Sequence, residues 1–262
     1  MARARPSLRA VLGATLKAKW TGHCVTGAVK AAVPGSPRKP RPDLYDVYHD
    51  TIECLVTALD TRDQYSAGHS SRVADMAVQL GTAAGLTGED LETLHIAAHL
   101  HDIGKIGIPD AILSKTGKLT ESEMKIVQTH PVLGSTILRS SPTLVNVARL
   151  VLHHHERWDG GGYPSGLAGT AIPLGSRIVA ICDAIDAMLT DRPYRKGMCW
   201  EQCAEEVLRG CNRQFEARLA RLVIENPLRR VFWEYYQTIA LFTEPIICFS
   251  NFGKKLPHLP PD

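Results

Sequence analysis

A chain of 262 residues, 44% hydrophobic and 22% charged, is long enough to bury one substantial core. No window approaches the roughly 18 consecutive apolar residues of a membrane span, which argues against a transmembrane helix. The formal charge of +3 conceals an asymmetry: residues 1–42 hold nine lysines and arginines and no acid, leaving 21 bases against 27 acids beyond them.

The basic arm could touch nucleic acid or anionic lipid. Its Pro-Gly-Ser-Pro-Arg-Lys-Pro-Arg-Pro end at 34–42 instead favours a solvated, disordered leader. The apolar run from Ala10 to Leu16 is interrupted by Gly13 and closed by Lys17, which does not make a secretory signal. The seven cysteines (Cys24, Cys54, Cys182, Cys199, Cys203, Cys211 and Cys248) include no Cys-x-x-Cys pair, so they are expected as reduced thiols in a cytoplasmic protein.

From residue 43 the pattern turns helical. Leu44, Val47, Ile52, Leu55, Val56 and Leu59 fit one face of a first helix. Val73, Met76, Ala77 and Leu80 fit the i, i+3, i+4, i+7 spacing of a second, with His69 at its start. Thr87 with Asp90 resembles a capping box for a third helix, carried by Leu91, Leu94 and Ala98 to His101 and Asp102. Thr120 and Glu123 make a better box, opening a short helix that Pro131 is expected to end near His130. A helix over about 143–154 delivers His153, His154, His155 and Glu156 at its C-terminal end.

The chain then breaks into Asp159-Gly-Gly-Gly-Tyr-Pro-Ser-Gly166, too glycine-rich for a regular element. Ile178, Ile181, Cys182, Ile185 and Met188 mark the stripe of a further helix, with Asp183 and Asp186 beside it. No segment alternates long enough for a convincing strand, so the expected core is all-α. All five phenylalanines (Phe215, Phe232, Phe242, Phe249 and Phe252) lie beyond residue 212. That shift sets off an aromatic-rich tail, 216–262, which packs on the core or meets a partner.

Seven polar residues stand at the ends of successive helices: His69, His101, Asp102, His130, His154, His155 and Asp183. Any one alone is more often a satisfied structural residue than a ligand. Together, at helix ends, they can converge on one cavity. Adjacent helical residues point about 100° apart, so His101-Asp102 and His154-His155 would grip two ions from a helix end. Asp102, with two oxygens, is the natural bridge. The first metal is assigned to His69, His101, Asp102 and Asp183, and the second to Asp102, His130, His154 and His155. Mixed nitrogen and oxygen ligands suit two divalent ions such as iron or manganese rather than a closed thiolate zinc. Such a pair, about 4 Å apart, would activate water at neutral pH and polarise a phosphoryl oxygen for in-line phosphodiester hydrolysis. Asp102 and Lys105 are the expected catalytic residues, the lysine neutralising a phosphate. Asp183 or Asp186 would orient the water.

Three runs carry a family resemblance: His101-Asp-Ile-Gly-Lys-Ile-Gly-Ile-Pro-Asp110, His154-His-Glu-Arg-Trp-Asp-Gly-Gly-Gly-Tyr-Pro164 and Asp183-Ala-Ile-Asp-Ala-Met-Leu-Thr-Asp-Arg-Pro-Tyr-Arg195. Over 43–215 the chain resembles the HD-GYP family of cyclic di-GMP phosphodiesterases, a branch of the HD-domain phosphohydrolases. The resemblance implies an HD-domain helical bundle with a glycine-rich GYP loop and the same seven ligands. It adds substrate contacts at Lys105, Tyr163, Arg192 and Arg195. It also implies hydrolysis of cyclic di-GMP to pGpG or onward to GMP in bacterial second-messenger signalling. Signalling proteins or a second copy of the chain are the other expected partners. The alternatives are an HD phosphohydrolase acting on another nucleotide or cyclic dinucleotide, and a low-turnover cyclic di-GMP-responsive adaptor.

Five positions depart from the family pattern. Tyr65 stands where some members hold a third metal with glutamate, which favours two metals here. His99 replaces a commoner aliphatic residue, with a neutral buried histidine or a partner to a ligand as its expected role. His153 is extra in the same sense, and Arg213-Gln-Phe-Glu216 replaces Thr-Gln-Phe-Asp.

Overall fold

One helix, Gly88–Leu100, has apolar partners on two faces, and the other helices arrange themselves about it. The computed structural model describes residues 44–62, 68–191 and 196–224. In chain order the α-helices among the described residues are α1 Leu44–Asp60, α2 His69–Ala83, α3 Gly88–Leu100, α4 Asp110–Leu113 and α5 Glu121–Val127. They continue as α6 His130–Leu138, α7 Val145–Leu152, α8 Leu174–Leu189, α9 Trp200–Arg209 and α10 Ala217–Ile224. Short 3-10 turns lie at Ile103–Gly107, Pro142–Leu144 and Gly169–Ala171. The expected all-α class holds, since the described residues contain only an isolated bridge, Cys211 to Phe215, and no strand.

Leu94 and Ala98 of α3 face a large core in which Met76 and Leu80 of α2 meet Ile178, Ile181 and Ile185 of α8. Trp200 of α9 and Leu219 of α10 close that core. On the other side of α3, Ala97 and Leu100 join Ile52 and Val56 of α1, Leu138 of α6, and Val147 and Val151 of α7. Each fully buried Leu or Ile is worth about 1.5–3 kcal/mol of hydrophobic stabilisation. Two cores therefore grip α3 and fix the position of its C-terminal end, where His101 and Asp102 follow. Its polar end is the other one: Glu89 and Asp90 sit in the first turn, where acids complement the helix dipole.

Local signals behave unevenly. The Thr120–Glu123 capping box forms as expected, with the Glu123 nitrogen donating to the Thr120 hydroxyl at 3.2 Å and the Thr120 nitrogen to the Glu123 carboxylate at 2.7 Å. Thr87 is the N-cap of α3 but makes no side-chain cap bond; Gly88, at φ 55°, turns the chain into the helix instead. Pro131 does not end a helix. It sits in the first turn of α6, where its missing N–H costs nothing, and the break falls one turn earlier, at Gln128 and Thr129. In α1 the stripe residues Ile52, Val56 and Leu59 are buried, while Val47 and Leu55 are exposed. α10, formed by residues beyond 215, packs Leu219, Ala220, Val223 and Ile224 into the large core. The basic arm at 1–42, Tyr65 and the rest of the tail lie outside the described residues.

The 3-10 turn after Asp102 fits against α6 because residue 104 is glycine. A methyl group there would sit 1.9 Å from the His130 carbonyl oxygen and 2.5 Å from the Gly134 nitrogen. Backbone cannot yield as a side chain can, so Gly104→Ala should destabilise the protein by about 3 kcal/mol, the upper range for overpacking. A fall in the urea midpoint at unchanged slope checks this; an unaltered midpoint would mean that the two segments are not in contact.

Candidate metal centre

His101 follows α3 directly, and its Nδ1 donates to the Ala98 carbonyl at 2.8 Å. His130 opens α6 and His154 follows α7; their Nδ1 atoms donate to the Val127 carbonyl at 2.8 Å and the Val151 carbonyl at 2.6 Å. The three histidines thus use the same device. A carbonyl three residues back fixes the tautomer and leaves Nε2, with its lone pair, aimed at the interior. His101 Nε2 is buried and has no hydrogen-bond partner, as expected of an atom waiting for a cation.

These groups fall into two sets of potential ligands. His69, His101 and Asp183 form one; His130, His154 and His155 form the other, each set offering ligand atoms within 4.8 Å of one another. Asp102 lies between them. Its Oδ1 is 3.3 Å from His130 Nε2, and its Oδ2 is 3.4 Å from His101 Nε2. Lys105 Nζ is 2.7 Å from the same Oδ2. His154 and His155 belong to one set, with ring centroids 4.1 Å apart, because α7 has already ended and the turn frees both rings from the helical 100° spacing. All seven residues singled out from the sequence are therefore brought together, with Lys105 beside them.

The electrostatics differ between the sets. Burial lowers the pKa of His130 and His154, and pushes His155 down to about 4, so these rings are neutral and can ligate without losing a proton. Burial also opposes charge on His69, but hydrogen bonds to Asp183 and Asp186 outweigh it and hold its pKa up at about 10. Burial works against ionised Asp102 as well; the Lys105 ammonium and the surrounding imidazoles prevail and hold its carboxyl well below the usual range.

Asp183 and Asp186, equivalent in the sequence, have different positions. Asp183 Oδ1 faces His69 Nε2 at 3.3 Å, inside the first set. Asp186 lies behind the ring, accepting from His69 Nδ1 at 2.7 Å and from Arg72 Nε at 2.6 Å. It orients the histidine from the side of the ring opposite Asp183. Sequence reasoning missed Arg72, whose partner is 114 residues away; its position one turn after His69 was the only available signal.

The glycine-rich loop reaches the second ligand set. Its Tyr163 ring stacks on His155, centroids 4.9 Å apart and 28° between planes. Burial, then the charges of Asp102 and Asp183, push the phenol pKa up, so the hydroxyl keeps its proton. Buried Glu156, whose role the sequence did not reveal, accepts from the Ser165 nitrogen at 2.7 Å and the Leu167 nitrogen at 3.1 Å. At Gly162 a Cβ would lie 2.4 Å from the Arg157 nitrogen, so the loop can double back only there with glycine. The departing segment Arg213–Glu216 keeps a supporting role through its backbone: the Asp159 nitrogen donates to the Arg213 carbonyl at 2.8 Å, and the Trp158 nitrogen to that of Gln214 at 3.2 Å. Arg192 and Arg195 lie outside the described residues.

Comparison with known proteins identifies the family. The family model "HD domain" matches residues 53–218. The chain is 40% identical over 171 residues to the cyclic di-GMP phosphodiesterase response regulator RpfG of Xanthomonas campestris pv. campestris, covering 64% of this chain and 45% of that protein. It is 38% identical over 186 residues to the 3'3'-cGAMP-specific phosphodiesterase 2 of Vibrio cholerae, covering 70% and 36%. With the cyclic di-GMP phosphodiesterase of Thermotoga maritima it shares 40% over 164 residues, covering 62% and 45%. The chain thus spans less than half the length of these curated relatives. Among solved structures, that of the cyclic GMP-AMP-specific phosphodiesterase V-cGAP3 of V. cholerae shares the fold, with a TM-score of 0.55 at 20% identity over 74% of this chain and 52% of that one. The chain belongs to the HD domain family, and its three motif runs put it in the HD-GYP branch.

The buried Asp186 tests the division between cavity and support. Asp186→Asn keeps shape but weakens the hold on His69, so affinity for a divalent ion should fall about 10- to 100-fold, the usual cost of losing a partner behind a ligand. Competition against a chelator measures it, with circular dichroism to verify the fold; unchanged affinity would remove Asp186 from the site's support.

Proposed function

We propose that this chain is a metal-dependent phosphodiesterase that hydrolyses cyclic di-GMP to the linear dinucleotide pGpG. The observation that carries the proposal is Asp102, whose two oxygens face two separate sets of ligands. In this reading His69, His101, Asp102 and Asp183 hold one ion, and Asp102, His130, His154 and His155 hold the other. The fixed tautomers, the unpartnered His101 Nε2 and the mixed nitrogen and oxygen donors fit two divalent ions of the iron or manganese kind. When bound, such a pair supplies Lewis-acid activation of water and of the phosphoryl group.

The chain's own residues supply the rest. Lys105, held on Asp102 at the edge of the cavity, brings a fixed positive charge to a phosphate oxygen as negative charge develops there. Tyr163, protonated and stacked on His155, offers a hydrogen-bond donor at the mouth. Asp186 keeps His69 in register from behind. Arg192 and Arg195 complete the proposal as guanidinium partners for phosphate or a guanine edge, on the strength of the family motif. The reading carries a cytoplasmic location; among the described residues no helix is long and apolar enough to cross a membrane.

A second substrate is favoured by the relatives named as 3'3'-cGAMP-specific, at identities similar to those of the cyclic di-GMP enzymes. Lys105 and two arginines would serve either cyclic dinucleotide. Full-length protein loaded anaerobically with iron or manganese should cleave cyclic di-GMP, with kcat/KM at least about tenfold above that for 3'3'-cGAMP, a difference of about 1.4 kcal/mol in transition-state binding. Chromatography of the products distinguishes pGpG from GMP. Preference for 3'3'-cGAMP would reassign the substrate, and no turnover of either with both metals would leave a binding adaptor as the account.

A further inference from the structure

α1 and α3 carry a second histidine cluster that shares no residue with the constellation around Asp102. His49 and Glu53 stand one turn apart on α1, and His95 and His99 one turn apart on α3, a spacing that puts each pair on one helix face. The two faces meet. His95 Nε2 and His99 Nε2 are 3.1 Å apart, and Glu53 Oε1 is 3.8 Å from His99 Nε2. The His49 ring stacks on His95 with centroids 5.4 Å apart and meets His99 edge-on at 5.6 Å. One ligand atom from each of the three rings lies within 4.8 Å of the others.

We propose that His49, His95, His99 and the Glu53 carboxylate form a metal site of the zinc class that clamps α1 to α3. Tetrahedral zinc with Zn–N bonds of about 2.0–2.1 Å separates its ligand nitrogens by about 3.3 Å, so the His95–His99 pair needs only a few tenths of an ångström of opening. Three imidazoles and one carboxylate are a donor set that zinc accepts readily. His99 and His95 are buried, while the Glu53 side chain is 42% exposed, so an ion has an entry from solvent. Because a helix–helix metal clamp stabilises only the folded arrangement, its binding energy adds to the seating of α1. The helix it grips is the one that ends in His101 and Asp102.

The test uses the full chain, stripped with chelator, reloaded with zinc and analysed for metal content and thermal melting. Wild type should hold one zinc per chain more than His49→Ala, and zinc should raise its Tm by more than that of the variant. His49→Cys, which restores a ligand, should regain the ion, and Asp102→Ala should keep it, which separates this site from the catalytic pair. If His49→Ala loses helical circular dichroism, His49→Gln carries the same comparison. Equal zinc content and equal zinc-induced stabilisation in wild type and the folded His49 variant would overturn the site.

Discussion

The carboxylate of Asp102 is the constraint on which the site depends. It is buried, ionised and shared: one oxygen looks toward His130, the other toward His101 and Lys105. An ionised carboxylate removed from water is costly unless cations and donors surround it. Here the neighbouring cation and imidazoles meet that requirement, and their placement produces two ligand sets joined through one residue. The device therefore needs α3, α6 and the end of α7 to arrive at one place together.

The fold meets that need by burying α3 against two cores. Leu94 and Ala98 commit one side to α2, α8, α9 and α10; Ala97 and Leu100 commit the other to α1, α6 and α7. α8 brings Asp183 from the first core and α6 brings His130 from the second. Residues in the two ligand sets thus belong to different packing units, and Asp102 lies where those units meet. Gly104 tightens the junction by letting the chain after Asp102 touch the backbone of α6.

Much of the site was legible because its ligands stand at helix ends in a distinctive order. His69, His101, Asp102, His130, His154, His155 and Asp183 could be collected from the sequence without knowing how the helices pack. What needed packing was the difference between Asp183 and Asp186. Three residues apart on one helix face, they separate only when His69 is placed, with Asp183 at its inner nitrogen and Asp186 at its outer one. Arg72 was invisible for the same reason. Pro131 misled because proline marks both the end of one helix and the first turn of the next, and the two-residue break before His130 carries no strong signal of its own. The second side of α3 was hidden too: alanines at 97 and 98 look alike in sequence, yet they face different cores.

The central claim is that a single carboxylate holds both halves of the metal centre. Metal analysis of anaerobically purified Asp102→Ala tests it most directly, with His69→Ala as the control. Relative to wild type, Asp102→Ala is predicted to lose two iron or manganese equivalents and His69→Ala one. A folded Asp102→Ala protein that keeps both ions would contradict the account.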